Sequence, residues 1–211
     1  MKGFAFRADG DSRFYAGVRG LVYVLFGFPS RYRVSGAGAV PLQGAAILAV
    51  THKSNLDPTF AGMAVPRPIR YMAKKELFDV PVLASFLRGM GTFPVDRGAG
   101  DRHALELALR VLQDGELLLM FPEGTRFRDD EVHEFLSGIG MIAVRSGAPV
   151  LPVAVKGTLR RSGLRRLVPL RVRTMIGAPV DLSGLEGRRS VVYQEAAQRI
   201  HAAVEDVYGR L

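Results

Sequence analysis

The sequence predicts an α/β fold in which helices cover both faces of a mostly parallel central sheet. Short apolar runs typical of buried strands alternate along the chain with amphipathic segments typical of helices. The run at residues 116–121, ELLLMF, is apolar almost throughout, as expected of a strand buried on both faces. Because a crossover helix returns the chain to the same edge of the sheet, this alternation favours parallel strands.

The individual elements follow from the same two patterns. Strands are predicted at residues 45–50, 68–73, 91–96 (a short strand or turn), 116–121, 149–155 and 168–177. Helices are predicted within residues 55–65, 74–90 (interrupted at Pro81), 101–115 and 135–147, and from residue 190 onward. The helix at 135–147 contains Gly138 and Gly140, which lower its intrinsic helix propensity.

A first helix is predicted at residues 12–28, where apolar side chains recur with helical spacing. Its stripe is formed by Phe14, Val18, Leu21, Val22 and Leu25. Arginines lie on both sides of this segment. The pattern fits a helix packed on the core, and it also fits an amphipathic helix in the headgroup region of a membrane, with arginines on lipid phosphates.

Composition limits the classes of function. The chain has 211 residues, with 29 Lys and Arg against 20 Asp and Glu, and its net charge of +9 favours phosphate-bearing partners. The absence of cysteine excludes disulfides and a cysteine nucleophile. The four histidines are far apart, so no metal site is predicted. No apolar run reaches the roughly 20 residues that span a bilayer.

Polar clusters follow four of the predicted strands. They are THKSNLDP after residue 50, KKE after residue 73, VDR from residue 95 and PEGTR after residue 121. In open α/β sheets, ligands bind beyond the carboxyl ends of the strands. We therefore expect His, Asp, Lys and Arg side chains from these clusters to face one cleft.

His52 is the candidate general base, because a neutral imidazole accepts a proton near pH 7. Asp57 would fix the tautomer of that imidazole if the turn between them brings its carboxylate to Nδ1. The alternative interpretation makes Asp57 a helix cap before Pro58, and His52 a hydrogen-bonded loop residue. No serine stands in a G-x-S-x-G elbow, and no Walker or dinucleotide-binding glycine motif is present, so direct attack by a substrate hydroxyl is favoured.

Four basic residues near the predicted cleft are candidates for binding a phosphate. Arg97 and Arg126 would hold it through bidentate hydrogen bonds, and Lys74 or Lys75 would add a point charge. Alternatively, each of the four is a solvated surface charge.

The turn that precedes Arg126 offers further polar groups. The N–H groups of Gly124 and Thr125 would bind an anion or line an oxyanion hole. Glu123 would orient Arg126 or contact substrate hydroxyls. The sequence does not choose between these roles.

Four motifs, in this order along the chain, resemble those of the glycerolipid acyltransferases, and among them the 1-acylglycerol-3-phosphate acyltransferase branch. HKSNLD (52–57) and FPEGTR (121–126) match the two hallmark motifs. GTFPVDR (91–97) resembles the intervening motif that ends in arginine, and PVLPVAVKG (149–157) the proline-containing strand motif. In one departure, FLSG (135–138) stands where these enzymes often carry a basic residue, in F-K-x-G.

The resemblance implies transfer of a fatty acyl group from a coenzyme A or acyl-carrier-protein thioester to a lysophospholipid hydroxyl, without a metal or bound redox cofactor. It implies that His52 is the base and Asp57 its orienting partner. The residues implied to grip the acceptor phosphate are Arg97 and Arg126, with Lys74 or Lys75 assisting. The segment Glu123 to Thr125 would shape the acceptor site.

A lipid acceptor also favours the membrane interpretation of the first helix. We expect residues 1–34 to be a membrane-association segment and residues 35–211 to be the acyltransferase domain. Because the thioester donor is made in the cytoplasm, we expect a peripheral protein on the anionic cytoplasmic face of the cell membrane, with no transmembrane span.

Two alternatives stay open. A related acyltransferase would use glycerol 3-phosphate or another lyso-lipid as acceptor. A non-catalytic basic membrane-binding protein would leave His52, Asp57 and the arginine-bearing motifs unexplained. Nucleic acid is not an expected partner, because the sequence contains no recognised nucleic-acid-binding module. The choice between coenzyme A and carrier-protein donors is also open.

Overall fold

The computed structural model describes residues 11–95, 102–159 and 171–211. The strands within them are β1 (Arg33–Ser35), β2 (Ala46–Val50), β3 (Ile69–Lys74), β4 (Thr92–Val95), β5 (Leu117–Met120), β6 (Val150–Lys156) and β7 (Arg173–Ile176). The α-helices are α1 (Asp11–Val22), α2 (Asp57–Met63), α3 (Pro81–Gly89), α4 (Arg102–Gln113), α5 (Ser137–Ser146) and α6 (Arg189–Gly209). The predicted strands and helices are all present, and Pro81 begins α3 after a 3₁₀ turn at Lys75–Phe78.

The strands form one sheet in the order β1-β7-β6-β2-β5-β3-β4. Strands β2 to β6 are parallel to one another, whereas β7 is antiparallel to β6 and carries β1 parallel to itself. The prediction of a mostly parallel α/β sheet is therefore confirmed. Strand β1 was not predicted, because its three residues are all exposed and carry no buried alternation.

The sheet separates two hydrophobic clusters. Alternate residues of β2 point to opposite faces, so that Leu48 packs with Phe60 of α2 while Ile47 packs with Ile200 of α6. All five residues of β2 are buried. Helices α4, α5 and α6 cover the second face, and burying each large side chain contributes roughly 1.5–3 kcal/mol. The predicted covering of both faces is thus present, and β2 lies at the centre of the sheet.

Helix α1 continues into a π-helical turn at Tyr23–Gly27, so a helix does occupy the predicted N-terminal stretch. Two contacts fasten it to the body of the protein. The Tyr15 hydroxyl lies 3.3 Å from that of Tyr71 on β3, and Arg19 Nη1 donates to the Val65 carbonyl at 2.6 Å. The predicted boundary between residues 34 and 35 stays a prediction, and β1 lies across it.

Helix α5 packs against the backbone of α6 at Gly140. A Cβ atom at this position would lie 1.9 Å from the Tyr193 carbonyl oxygen and 2.9 Å from the Ala197 nitrogen. Gly138, two residues earlier on the same helix, has open space where its Cβ would be. The two glycines that weaken the predicted helix therefore differ in their packing, because of the two only Gly140 permits the close approach of α6.

We expect Gly140→Ala to lower the free energy of unfolding by about 1–3 kcal/mol, because α6 must move away from α5. The matched control, Gly138→Ala, adds the same methyl group where nothing obstructs it. Its effect should be neutral or stabilising by up to roughly 1 kcal/mol, from helix propensity alone. Urea denaturation followed by circular dichroism measures both variants, and equal destabilisation of the two would contradict this account of the packing.

Candidate active site

His52 and Asp57 lie at the carboxyl end of β2, in the turn that leads into α2. Asp57 is the first residue of α2 and is fully buried, and Pro58 follows it in the first helical turn, where a missing N–H costs no hydrogen bond. His52 is also buried. His52 Nδ1 lies 3.3 Å from Asp57 Oδ2, so the two side chains face each other.

The Asp57 carboxylate has three further donors. Oδ2 accepts the N–H groups of Lys53 at 2.5 Å and Ser54 at 2.6 Å, and Oδ1 accepts the Thr158 hydroxyl at 2.6 Å. Asp57 thus closes the turn before α2 and also faces His52. The alternative of a helix cap is wrong, because Leu56 occupies the cap position and the Asp57 carboxylate accepts N–H groups that precede the helix. Because Oδ2 acts as an acceptor in these bonds, Nδ1 is expected to be the ring nitrogen that carries a hydrogen toward it.

The ring of His52 is held from a second side by the FPEGTR segment. It stacks on Phe121 with ring centroids 3.9 Å apart and an angle of 20° between the planes. The N–H of Phe127 donates to the His52 carbonyl at 3.1 Å. His52 Nε2 makes no hydrogen bond to the described residues and is the nitrogen with which the ring can accept a proton.

Glu123 is buried and its carboxylate is occupied by protein groups. It accepts the N–H of His52 at 3.0 Å, the Lys53 ammonium at 3.3 Å and the N–H of His133 at 3.3 Å. Arg126 has a different partner, since its Nη1 donates to the side-chain oxygen of Asn55. Glu123 therefore joins the loop after β2 to the loop after β5; its role in substrate binding stays a prediction.

Lys53 is the basic side of this buried connection. Besides Glu123, its ammonium lies 3.6 Å from Asp129 and donates to the carbonyl of Glu131. Nearby, the hydrogen bond from His133 lowers the pKa of Asp129, which stays ionised in this position. Lys53 thus carries a charge whose removal would leave Glu123 without its cationic partner.

The turn after Glu123 is exposed and requires glycine. Gly124 has φ 72°, and a Cβ there would lie 2.6 Å from the Leu136 side chain. The Gly124 N–H donates to the Phe121 carbonyl at 3.1 Å, so it serves the turn and is not available to an anion. The Thr125 N–H has no acceptor among the residues that the structure describes. Leu136, from the FLSG segment, thus lies beside the turn that carries Arg126.

Two of the predicted basic residues lie further away. Lys74 ends β3 and Lys75 follows it, and β3 is separated from β2 by β5. Lys74 is half-exposed and lies 3.5 Å from Glu76. Arg97 lies outside the described residues. The structure therefore brings together the loops of His52 and Arg126, with Lys74 and Lys75 at the next strand end.

Sequence reasoning missed Lys53 and Thr158. Lys53 lies inside the HKSNLD motif, but a lysine between a histidine and a serine gives no sign of burial. Thr158 directly follows PVLPVAVKG, and its hydroxyl contact with Asp57 depends on β6 lying next to β2. Among the described residues, no group of three or more His, Cys, Asp or Glu side chains is placed to hold a metal ion. None of the described helices is long and apolar enough to cross a membrane.

Known proteins are similar to this chain across the residues of the candidate site. The family described as Acyltransferase matches residues 31–156. The 1-acyl-sn-glycerol-3-phosphate acyltransferase of Streptococcus pneumoniae (strain ATCC BAA-255 / R6) is 30% identical over 196 residues, covering 91% of this chain and 72% of that protein. The protein of the same name from Bacillus subtilis (strain 168) is 32% identical over 142 residues, covering 67% and 69%.

The fold has a solved counterpart. The crystal structure of the 1-acyl-sn-glycerophosphate (LPA) acyltransferase PlsC from Thermotoga maritima superposes with a TM-score of 0.69 at 25% sequence identity. The match covers 98% of this chain and 86% of that one. The family match spans β1 to β6 and includes both the His52 and the Arg126 loops. On these grounds, this chain belongs to the acyltransferase family.

Proposed function

We propose that this chain transfers a fatty acyl group from a thioester of coenzyme A or acyl-carrier protein to the sn-2 hydroxyl of lysophosphatidate, which gives phosphatidate. The observation that carries the proposal is the contact between His52 Nδ1 and Asp57 Oδ2 at the carboxyl edge of the sheet. The names of the relatives from S. pneumoniae and B. subtilis support lysophosphatidate as the acceptor.

In the proposed reaction, His52 Nε2 accepts the proton of the sn-2 hydroxyl while the hydroxyl oxygen attacks the thioester carbonyl. The new C–O bond forms, the tetrahedral intermediate collapses with cleavage of the C–S bond, and the imidazolium returns its proton to the thiolate. Asp57 stabilises the imidazolium in between. A placed general base contributes about two to four powers of ten in rate, and no metal or redox cofactor takes part.

Arg126 is the proposed contact for the acceptor phosphate. It is exposed, and its partner Asn55 lies in the same turn as His52, which supports a phosphate held close to the base. A guanidinium binds phosphate through two parallel hydrogen bonds. Arg97 is proposed to assist, as are Lys74 and Lys75 at the end of β3, and the N–H of Thr125, an exposed residue, is a candidate oxyanion donor.

We further propose a peripheral position on the anionic cytoplasmic face of the membrane. Apolar side chains are exposed along α1, its π turn and the residue that follows, among them Val24 (64% exposed) and Phe28 (79%). Exposed apolar side chains continue on α3, which contacts α1, and include Val82 and Phe86. Strand β1 begins at the carboxyl edge of the sheet, and Phe28 lies five residues before its first residue. This position supports a membrane surface at the edge of the sheet that carries His52.

We expect His52→Ala to lower turnover of an acyl thioester with lysophosphatidate by at least about two powers of ten, because the base is lost. Circular dichroism should show an unchanged fold. The control, His201→Gln, removes an imidazole that lies against Phe135 instead of Asp57, and it should keep wild-type turnover. Equal turnover of wild type and His52→Ala would show that His52 is not the general base.

We expect Arg126→Ala to raise the KM for lysophosphatidate roughly ten- to a hundredfold, which is the loss of a charge-assisted hydrogen-bond pair. The KM for the thioester should stay unchanged. Arg110→Ala removes an exposed arginine from the last turn of α4 and serves as control. Steady-state kinetics with each substrate varied in turn measures both constants, and a change confined to the thioester would reassign Arg126.

We expect the double variant Val24→Glu with Phe28→Glu to reduce binding to anionic phospholipid vesicles at least tenfold. Each buried apolar side chain contributes roughly 1.5–3 kcal/mol, and the new carboxylates are repelled by the anionic surface. Leu42→Glu is the control, because Leu42 is 74% exposed but precedes β2, at the opposite edge of the sheet. Cosedimentation measures the bound fraction; unchanged binding would count against this surface.

A further inference from the structure

Three basic residues lie side by side across the strands at one end of the sheet. The register pairs Arg33 of β1 with Arg173 of β7, and Arg173 with Lys156 of β6. Residues directly opposite one another in a sheet project from the same face, and like charges in such pairs are destabilising. We call Arg33, Arg173 and Lys156 the basic row. Repulsion between these like charges destabilises the sheet, which suggests that a bound anion compensates the positive charge.

The basic row faces α6. On neighbouring strands, the paired residues Met175 and Ala154 pack with Tyr208 of α6, and the Lys156 ammonium lies 4.6 Å from the centroid of the Tyr208 ring. Lys156 is the last residue of β6, which is parallel to β2. The row therefore lies at the carboxyl edge of the sheet, the edge that carries His52.

Few acidic groups balance the row. Lys156 lies 3.5 Å from Asp130, whereas Arg33 and Arg173 form no ion pair with any described residue, and both are exposed. Arg171 adds a fourth exposed cation beside them. Its neighbour Val172 is buried in the cluster on the opposite face, which directs Arg171 to the side of the row. Among the described residues, Asp130 is the one carboxylate that forms an ion pair with the row.

A cavity of about 280 Å³ opens beside Lys156, one member of the basic row. Thr158, whose hydroxyl donates to Asp57, lines it together with Lys156, Arg171 and Tyr208. A ligand that extends from the row past Lys156 into this cavity would have its anionic end at the row and its other end beside Thr158, the hydroxyl partner of Asp57.

The sheet order separates this site from the one proposed for the acceptor. Arg126 follows β5 on one side of β2, whereas the basic row occupies β6, β7 and β1 on the other side. Helix α1 packs against α2 and β3 on the face opposite α6, whereas the row faces α6. The remaining anionic reactant is the donor. In acyl-coenzyme A, the pantetheine arm separates several phosphate charges from the thioester.

We propose that Arg33, Arg173 and Lys156 bind the phosphate groups of coenzyme A when it carries the acyl group. The proposal rests on the proposed function and extends it by naming the donor and its site. Guanidinium groups suit this ligand because their planar forks pair with phosphate oxygens bidentately.

The test is Arg173→Glu, which reverses the central charge of the row at an exposed position. The control is Arg145→Glu, with the same change in net charge at the end of α5, on the opposite edge of the sheet. Equilibrium binding of coenzyme A is measured by calorimetry, separately from turnover. KM values are then measured for palmitoyl-coenzyme A, for palmitoyl-acyl-carrier protein, for palmitoyl-pantetheine, which lacks phosphates, and for lysophosphatidate. Cosedimentation measures binding to anionic vesicles.

We expect Arg173→Glu to weaken coenzyme A binding and to raise the KM for palmitoyl-coenzyme A, each at least about tenfold. The constants for palmitoyl-pantetheine and lysophosphatidate should not change, and Arg145→Glu should match wild type throughout. Urea denaturation should show no loss of stability in Arg173→Glu, since a carboxylate between two cations relieves their repulsion. Arg33→Glu repeats the test at the edge strand.

Other outcomes overturn the proposal. A raised KM for lysophosphatidate alone assigns the row to the acceptor. An increase in KM seen only with the acyl-carrier-protein donor assigns the row to the carrier protein. Lost vesicle binding alone assigns the row to lipid headgroups. Equal effects of Arg173→Glu and Arg145→Glu indicate net charge only. A wild-type protein that binds coenzyme A through the row but does not acylate lysophosphatidate would contradict the proposed function and leave this site standing.

Discussion

The candidate site depends on one buried carboxylate. Asp57 is fully removed from solvent, and an isolated charge in that position would be strongly disfavoured. Two backbone N–H groups, the Thr158 hydroxyl and the His52 ring surround it and replace the lost water. Because those donors come from the turn after β2 and from the end of β6, the carboxylate can be satisfied only when the central strands are assembled. The orientation of the His52 imidazole is therefore coupled to the assembly of the central strands.

Glu123 and Lys53 form a second buried contact that connects the two motif loops. Their side chains lie 3.3 Å apart and are almost inaccessible to water. Losing one member of such a pair costs about 3–5 kcal/mol, since the other is left uncompensated. The glutamate of FPEGTR thus has a role that its sequence position beside Arg126 does not suggest. It holds the backbone of His52, and this contact sets the distance between the imidazole and the exposed arginine.

Much of this arrangement could be predicted from residue patterns. The continuous apolar runs of β2 and β5 indicate strands buried on both faces, and the polar residues after them indicate the edge at which a ligand binds. What the patterns could not provide is the partner of each polar group. Thr158 reaches Asp57 because β6 pairs with β2, and Arg33 meets Arg173 because β1, a strand of three exposed residues, joins β7. Such pairings join residues far apart in the chain, and local periodicity carries no information about them.

The fastening of α1 also matters for how the protein would sit on a bilayer. The hydroxyl contact between Tyr15 and Tyr71, together with the bond from Arg19 to Val65, makes α1 part of the rigid body instead of a flexible tether. Lipids that grip the outer side of α1 would thereby fix the tilt of the whole sheet and the height of His52 above the headgroups. An acceptor would then need to rise from the leaflet by a constant amount before it met the imidazole.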